Sequence, residues 1–167
     1  MDAVKPLESN VETAGVIARP PLLFLAAIAL GFIVDHLLPL TFPIARVSPA
    51  HWISATLAFL MILAGVTLAA AGIRNFARAA TPVPSNQPVR ALVTTGIHGW
   101  SRNPIYLGMF LLYVGIGLVV RSPWILLLAL PLAITIHFGV VAREEAYLEG
   151  RFGDAYRDYK ARVRRWL

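Results

Sequence analysis

The sequence contains no cysteine and very little charge. Because none of its 167 residues is a cysteine, disulfide bonds, thiolate metal sites and cysteine nucleophiles are all excluded. Charged residues make up 14% of the chain, whereas ordinary soluble domains carry roughly 25%. This is too little charge to cover the surface of a soluble globular protein, so the composition indicates a membrane environment.

Hydrophobic residues make up 57% of the chain and fall in four blocks. The blocks cover residues 20–40, 52–73, 104–120 and 122–142. A helix that crosses a bilayer needs roughly 20 apolar residues, within a range of about 17 to 25, and all four blocks qualify. A lone strand cannot satisfy its backbone hydrogen bonds in lipid, so the blocks are predicted to be helices. The sequence therefore predicts an all-α integral membrane protein with four, at most five, transmembrane helices.

Basic residues are concentrated on one side of these predicted spans. The connections on the other side hold only Arg46 and Arg121. The loop between the second and third spans and the segment after the fourth span hold eleven: Arg74, Arg78, Arg90, Arg102, Arg143, Arg151, Arg157, Lys160, Arg162, Arg164 and Arg165. Cytoplasmic loops carry an excess of lysine and arginine. Both termini and the central loop are therefore predicted to face the cytoplasm, in a bacterial inner membrane.

The net charge of +6 has two possible meanings in a chain of this kind. Binding to nucleic acid is one, and attraction to anionic lipid headgroups combined with the positive-inside bias is the other. We favour the second because the basic residues flank hydrophobic spans. Membrane lipids, and not nucleic acid, are therefore the predicted partners.

The last part of the chain, "EEAYLEGRFGDAYRDYKARVRRWL" (residues 144–167), has the pattern of an amphipathic helix. Phe152, Tyr156, Tyr159 and Val163 recur at helical spacing and form one apolar face. A break is expected near one of the two glycines. Such a helix can lie in the headgroup zone with its basic residues extended towards water, or it can form one wall of a site.

The stretch "TTGIHGWSRNPIYLGMF" (residues 94–110) places a polar turn directly before an apolar helix. Asn103 is a good N-cap residue and Pro104 suits a first helical turn, so a helix is predicted to begin here. Its free N–H groups and the neighbouring Arg102 make a favourable environment for a carboxylate or phosphate. The alternative is a capped helix whose Arg102 and Tyr106 only contact the membrane interface.

Two adjacent carboxylates, Glu144 and Glu145, follow the uncharged fourth span. They can bind hydroxyl groups, or they can pair with Arg102 or Arg143. No histidine stands near them in sequence, so no metal site is predicted.

His137 lies inside the fourth predicted span. An ionisable group in a membrane is a functional candidate, and a neutral histidine bonded to a neighbouring helix is an equal alternative. The sequence shows no Ser-His-Asp order, phosphate-binding loop or HExxH pattern, so hydrolase and nucleoside-triphosphate functions lack support.

Two motifs together resemble one known superfamily. "LVTTGIHGWSRNPIYLG" (residues 92–108), an apolar hairpin, and then "EEAYLEGRFGDAYRDYKARVRRW" (residues 144–166) are similar to the isoprenylcysteine carboxyl methyltransferases and phospholipid methyltransferases. The first two helices match only as hydrophobic spans. The resemblance implies a single membrane-embedded domain over residues 1–167, with a polar segment (1–19), two transmembrane helices (20–73) and a motif-bearing catalytic core (92–167).

The resemblance also implies an activity and a set of site residues. It implies S-adenosylmethionine as cofactor and a lipophilic or small acceptor that resembles isoprenylcysteine carboxylate or a phospholipid amine. The implied catalytic residues are Arg102, Glu145 and Arg164. The implied cofactor-binding residues are His98, Arg102, Asn103, Tyr106, Leu107, Gly108, Glu144, Glu145, Tyr156 and Tyr159.

One departure from the superfamily pattern stands out. His98 and Gly99 occupy positions where the superfamily usually carries an aromatic residue followed by a basic one. Two functions other than methyl transfer are alternatives for this sequence. One is an NADPH-dependent membrane enzyme similar to the sterol reductases, and the other is a non-catalytic membrane scaffold whose basic tail binds anionic lipid.

Overall fold

Helices account for the regular structure of the chain. A computed structural model describes residues 13–42, 49–83 and 87–167, and no strand occurs within these ranges. The α-helices are α1 (Pro20–Leu37), α2 (Pro49–Arg78), α3 (Pro104–Val120), α4 (Pro123–Ile136), α5 (Ala142–Phe152) and α6 (Asp154–Arg162). A short 3₁₀ turn (Gly96–Gly99) precedes α3, and a π-helical segment (His137–Val141) joins α4 to α5. The predicted all-α fold is confirmed.

Three helices of the described part are long and apolar enough to cross a bilayer: Pro20–Leu37, Pro49–Arg78 and the continuous Pro123–Phe152. Helix α3 is equally apolar but shorter, at 17 residues. It begins and ends at the predicted residues. The fourth predicted span was expected to end near residue 142, but the helix continues through α5. Glu144 and Glu145 therefore lie on a rigid extension of a membrane helix.

Helices α2 and α3 pack with their backbones in direct contact. A Cβ atom built on Gly108 would lie 2.6 Å from the carbonyl oxygen of Gly65 and 2.8 Å from the backbone nitrogen of Ala69. Small residues permit such close approach of helices in membranes. Gly108 is thus required for helix packing, and it faces α2.

The π-helical segment is covered by the chain before α1. The backbone N–H of Ile17 donates to the carbonyl oxygen of Gly139 at 3.2 Å, and Arg143 Nη1 donates to the carbonyl oxygen of Gly15 at 2.8 Å. A Cβ on Gly139 would collide with the Ile17 side chain. A π-turn inserts one extra residue into a helix, and such turns are frequent near functional sites. Here the π-turn immediately precedes the two glutamates.

The C-terminal tail (residues 144–167) continues beyond α5 and folds back onto the protein as helix α6. Helix α5 ends at Phe152, and Gly153, with φ +54°, makes the turn into α6. Phe152, Tyr156 and Tyr159 are buried and pack against Val89 and neighbouring residues. The aromatic face of the tail therefore packs inside the protein. This arrangement excludes, for these side chains, the alternative in which they lie among lipid headgroups.

Candidate functional site

A cavity lies where the start of α3, the start of α5, helix α6 and the loop before the 3₁₀ turn meet. It has about 610 Å³ of empty space when the open solvent at its mouth is counted. The cavity is narrow, because the centre of a water molecule can reach only about 50 Å³ of it. The polar lining consists of His98, Arg102, Asn103, Tyr106, Glu144, Glu145, Tyr156 and Tyr159.

Most of the residues implied by the superfamily resemblance therefore share one cavity. Three do not. Leu107 is not part of the lining, and Gly108 is buried against α2. The Arg164 side chain is exposed, and its backbone carbonyl accepts a hydrogen bond from the Arg102 N–H at 3.0 Å. The next residue, Arg165, binds Glu145 of the lining, although Arg165 is not itself part of the lining.

Glu145 is held by two arginines. Arg165 binds its carboxylate with two hydrogen bonds, from Nε to Oε1 at 3.0 Å and from Nη2 to Oε2 at 2.6 Å. Arg102 Nη1 lies 3.3 Å from Oε1. Bidentate pairs of this kind fix the orientation of both partners. Glu145 thus has a fixed position at the cavity wall.

Arg102 has unused hydrogen-bonding capacity. Its side chain is 8% exposed, and Nη1 also lies 3.4 Å from the hydroxyl oxygen of Tyr156. Its Nε atom is buried and has no hydrogen-bond partner among the described residues. Buried donors are nearly always paired, so an unpaired guanidinium donor in a cavity wall suits an anionic ligand group.

Glu144 faces the same cavity from α5. The Tyr106 hydroxyl donates to Glu144 Oε1 at 2.8 Å, and both side chains are buried. This hydrogen bond joins α3 to α5. The carboxylate stays a hydrogen-bond acceptor at the cavity wall.

The first turn of α3 is arranged differently from the expectation. Helix α3 does begin at Pro104, but the Asn103 side chain does not cap it. Asn103 Nδ2 donates instead to the carbonyl oxygen of Arg165 at 3.1 Å. The Ser101 hydroxyl accepts from the Asn103 N–H at 3.2 Å. The tail therefore displaces the local cap, and the N–H groups of the first turn of α3 have no side-chain cap from Asn103.

Two tyrosines of α6 form the wall opposite α3. The Tyr159 hydroxyl donates to the carbonyl oxygen of His98 at 2.7 Å. Burial raises the pKa of both Tyr156 and Tyr159, and the Glu145 charge acts in the same direction on Tyr156. Both hydroxyls are therefore neutral at physiological pH, and neither is a base.

The apolar wall is held by α5. Tyr147 Oη accepts from the Val89 N–H at 3.2 Å, and Arg151 Nε donates to the Val89 carbonyl oxygen at 2.6 Å. Both backbone groups of Val89 are thus fixed by side chains. The rest of this wall is formed by Phe76, Val83, Ala91, Leu92, Val93, Pro104, Ile105 and Leu148.

A protein-family model matches more than half of this chain. The model described as "Phospholipid methyltransferase" matches residues 53–155. The chain belongs to the phospholipid methyltransferase family. The matched region includes α2 to α5 and both glutamates of the cavity.

Three proteins show how far this family likeness extends. An uncharacterised protein of Haemophilus influenzae is 70% identical over 27 residues, which is 16% of this chain and 43% of that protein. The protein-S-isoprenylcysteine O-methyltransferase of Saccharomyces cerevisiae is 35% identical over 72 residues, 43% of this chain and 30% of that enzyme. A solved structure of the eukaryotic intramembrane Ras methyltransferase ICMT has a TM-score of 0.61 at 22% identity, covering 86% of this chain and 50% of that chain.

These matches confirm the resemblance read from the sequence, and the shared fold confirms an integral membrane protein. The matched regions span less than half of the two relatives' length and half of the solved structure. At 22% identity the solved structure establishes the fold only.

Packing does not require a glycine at position 99 of this chain. A Cβ atom at this position would meet only the carbonyl oxygen of Thr94, at 3.6 Å, which is an ordinary contact. A side chain therefore fits at the exposed Gly99 position. The absence of a basic residue there is a property of the sequence and does not follow from the fold.

Sequence reasoning missed two residues that support the site. Arg165 was missed because the superfamily resemblance implied Arg164 as the arginine of the tail, whereas α6 ends at Arg162 and Arg165 binds Glu145. Asn75, at the end of α2, donates to the Thr95 carbonyl oxygen at 2.8 Å and lies 3.3 Å from His98 Nδ1. No local pattern marks Asn75, because its partners are about twenty residues away in sequence.

His98 is neutral in the folded protein. It is 3% exposed, and burial lowers its pKa from 6.5 to about 4. The unfolded chain binds a proton at His98 below pH 6.5 and the folded protein does not, so acid favours unfolding. We expect the free energy of unfolding to fall by up to about 3 kcal/mol, from this residue alone, as pH drops from 6.5 to 4.

Denaturation in detergent over this pH range checks the His98 expectation. His98→Gln should remove part of the pH slope, whereas His36→Gln, at an exposed position, should keep all of it. A His98→Gln protein with the wild-type slope would show that His98 is not buried in its neutral form.

Proposed function

We propose that this protein is a membrane-embedded methyltransferase that uses S-adenosylmethionine and acts on a lipophilic acceptor. Family membership supports transfer of a methyl group. The apolar helices support an acceptor that resides in the membrane. The observation that carries the choice of cofactor is the charge of the cavity lining.

The lining contains two carboxylates, Glu144 and Glu145, and one guanidinium, Arg102. S-adenosylmethionine has a positive sulfonium, a positive ammonium and one carboxylate, so its charges are opposite in sign to those of the lining. NADPH carries several negative phosphate groups, and a lining with one arginine and two glutamates is unfavourable for it. The charge of the cavity therefore favours S-adenosylmethionine over NADPH, and a lipid-binding scaffold does not account for two carboxylates that line a cavity.

The residues present fit this cofactor. The unpaired Arg102 Nε and the N–H groups at the start of α3 suit a carboxylate. Glu144 and Glu145 suit an ammonium group or ribose hydroxyls. When bound, the cofactor supplies a methyl group activated by its positive sulfur.

The protein's part in such a reaction is orientation and exclusion of water. Tyr106, Tyr156 and Tyr159 are buried aromatic side chains around the cavity, and burial raises the pKa of Tyr156 and of Tyr159, so that these two hydroxyls stay neutral at physiological pH. Methyl transfer is an in-line displacement, which depends on alignment of the nucleophile with the methyl group more than on a strong acid or base. A rigid cavity with fixed carboxylates serves that purpose.

The acceptor we propose is a membrane-soluble molecule with a carboxylate or amine nucleophile. The apolar half of the lining, which includes Leu92, Ile105 and Leu148, suits an acyl or prenyl chain. The concentration of arginines at this end of α2 and in the tail supports a cytoplasmic position for the cavity, with both termini on that side of a bacterial inner membrane.

Purified protein in lipid vesicles, supplied with S-adenosylmethionine labelled in its methyl group, tests the proposal. We expect label to appear in the organic extract when the vesicles contain a phospholipid amine or a prenylated cysteine with a free carboxylate. NADPH at the same concentration should not compete. Label that stays in the aqueous phase at the level of heat-inactivated protein, with both acceptors, would contradict the proposed function.

A further inference from the structure

Arg165, which binds Glu145, lies within the second superfamily motif (residues 144–166) but is not one of the site residues that the resemblance implies. We propose that Arg165 is a positioning residue: its guanidinium holds Glu145 in place and thereby leaves Arg102 available for an anionic ligand group. This inference rests on the proposed function. It separates the roles of two adjacent arginines in the tail, Arg164 and Arg165.

Arg165 uses its whole guanidinium on structural partners. Nε and Nη2 bind the two oxygens of Glu145, and Nη1 lies 3.0 Å from His137 Nε2. The Arg165 side chain is 31% exposed, whereas the side chains of Glu145 and Arg102 are each 8% exposed. Arg165 thus approaches the buried carboxylate from the protein surface and binds it from behind the cavity.

The backbone of Arg165 is fixed as well. Its carbonyl oxygen accepts from Asn103 Nδ2 at 3.1 Å and from Ser101 Oγ at 3.3 Å. One residue therefore connects the turn before α3, the glutamate of α5 and the π-helical segment that contains His137. The first two of these parts supply Arg102, Asn103 and Glu145 to the polar lining of the cavity.

The geometry requires arginine at this position. A lysine has one ammonium group and cannot bind both oxygens of Glu145 and also reach His137. Arg164 cannot substitute, because its side chain is exposed and only its backbone carbonyl is used, by the Arg102 N–H.

The consequence of this arrangement concerns Arg102. Glu145 needs a cationic partner because it is buried. If Arg165 is removed, Arg102, which already lies 3.3 Å from Glu145, is left as its one cationic partner among the described residues and is drawn more closely into that pair. The Nε atom and the other donors of the Arg102 guanidinium are then less able to bind a ligand carboxylate. Arg165 therefore acts on ligand binding through Glu145 and not by touching the ligand.

The test is a double-mutant cycle on the affinity for S-adenosylhomocysteine, measured by calorimetry on the full chain in detergent. We expect Arg165→Lys to weaken binding about tenfold, while Arg162→Lys, an exposed control in α6, stays within about twofold. In a Glu145→Gln background, Arg165→Lys should add less than about twofold. The inference would be overturned if the losses of affinity from Glu145→Gln and Arg165→Lys multiplied in the double variant. It would also be overturned if Arg164→Lys weakened binding and Arg165→Lys did not.

Amide hydrogen exchange without ligand separates this inference from the proposed function. The Arg102 N–H donates to the Arg164 carbonyl oxygen, so its exchange reports whether the tail is docked. Arg165→Lys should raise that exchange, and Arg162→Lys should not. Unchanged exchange overturns the positioning role. Wild-type protein that binds no S-adenosylhomocysteine contradicts the proposed function, and raised exchange in the variant then assigns Arg165 to tail docking alone.

Discussion

Arg102→Ala is expected to weaken the binding of S-adenosylhomocysteine about 100-fold, because a charge-assisted hydrogen bond to a carboxylate contributes roughly 1.5 to 3 kcal/mol. Arg102 lines the cavity, and its Nε atom has no partner within the described part of the chain. Arg102→Lys keeps the charge but loses the planar fork, so an intermediate loss of about tenfold is expected. Calorimetric titration of each purified variant gives these affinities.

The controls for Arg102→Ala separate the loss of ligand binding from the loss of the ion pair between Arg102 and Glu145. Removal of Arg102 leaves Glu145 paired with Arg165, so the variant should stay folded. Arg162→Ala, which changes an exposed arginine in α6, should bind as the wild type does. If Arg102→Ala lowers the melting temperature and leaves the affinity of the folded fraction unchanged, then Arg102 has only a structural role.

Glu144→Gln is expected to weaken binding of the cofactor by about 10- to 100-fold, since it replaces a charged acceptor by a neutral one in a buried site. The change keeps the size of the side chain and keeps an oxygen that can accept from the Tyr106 hydroxyl. The loss should be larger for S-adenosylmethionine than for S-adenosylhomocysteine, because only the former has a positive sulfur, which a carboxylate of the cavity lining attracts. Titration with both compounds measures the difference.

Tyr106→Phe is the matched comparison for Glu144. It removes the hydrogen bond to Glu144 Oε1 and leaves the carboxylate charge in the cavity. A small effect of Tyr106→Phe beside a large effect of Glu144→Gln supports a direct role of the carboxylate. Equal losses in the two variants would mean that Glu144 serves only to fasten α3 to α5.

The sequence was sufficient for those features that depend on local patterns. The bounds of α3 follow from the proline at its start and from the end of the apolar run, and the structure has the same bounds. The aromatic face formed by Phe152, Tyr156 and Tyr159 follows from helical spacing. The surface against which this face packs could not be predicted, because the spacing of residues in a sequence does not identify the partner surface.

The features that local patterns do not determine depend on contacts between distant parts of the chain. Asn103 has the sequence signature of a cap, but the tail brings the Arg165 carbonyl oxygen within 3.1 Å of its side chain. Gly108 belongs to the motif, yet its neighbours are Gly65 and Ala69 of α2. Arg164 and Arg165 have the same chemistry, and only the end of α6 at Arg162 decides which one faces Glu145.

The most direct measurement of the central claim is an equilibrium titration of the purified wild-type protein with S-adenosylmethionine, S-adenosylhomocysteine and NADPH. The cavity has two carboxylates and one unpaired guanidinium donor in its lining. The account predicts saturable binding at one site for the first two compounds, loss of that binding in Arg102→Ala, and no binding of NADPH. Binding of NADPH alone, or no binding of any of the three at millimolar concentration, would contradict it.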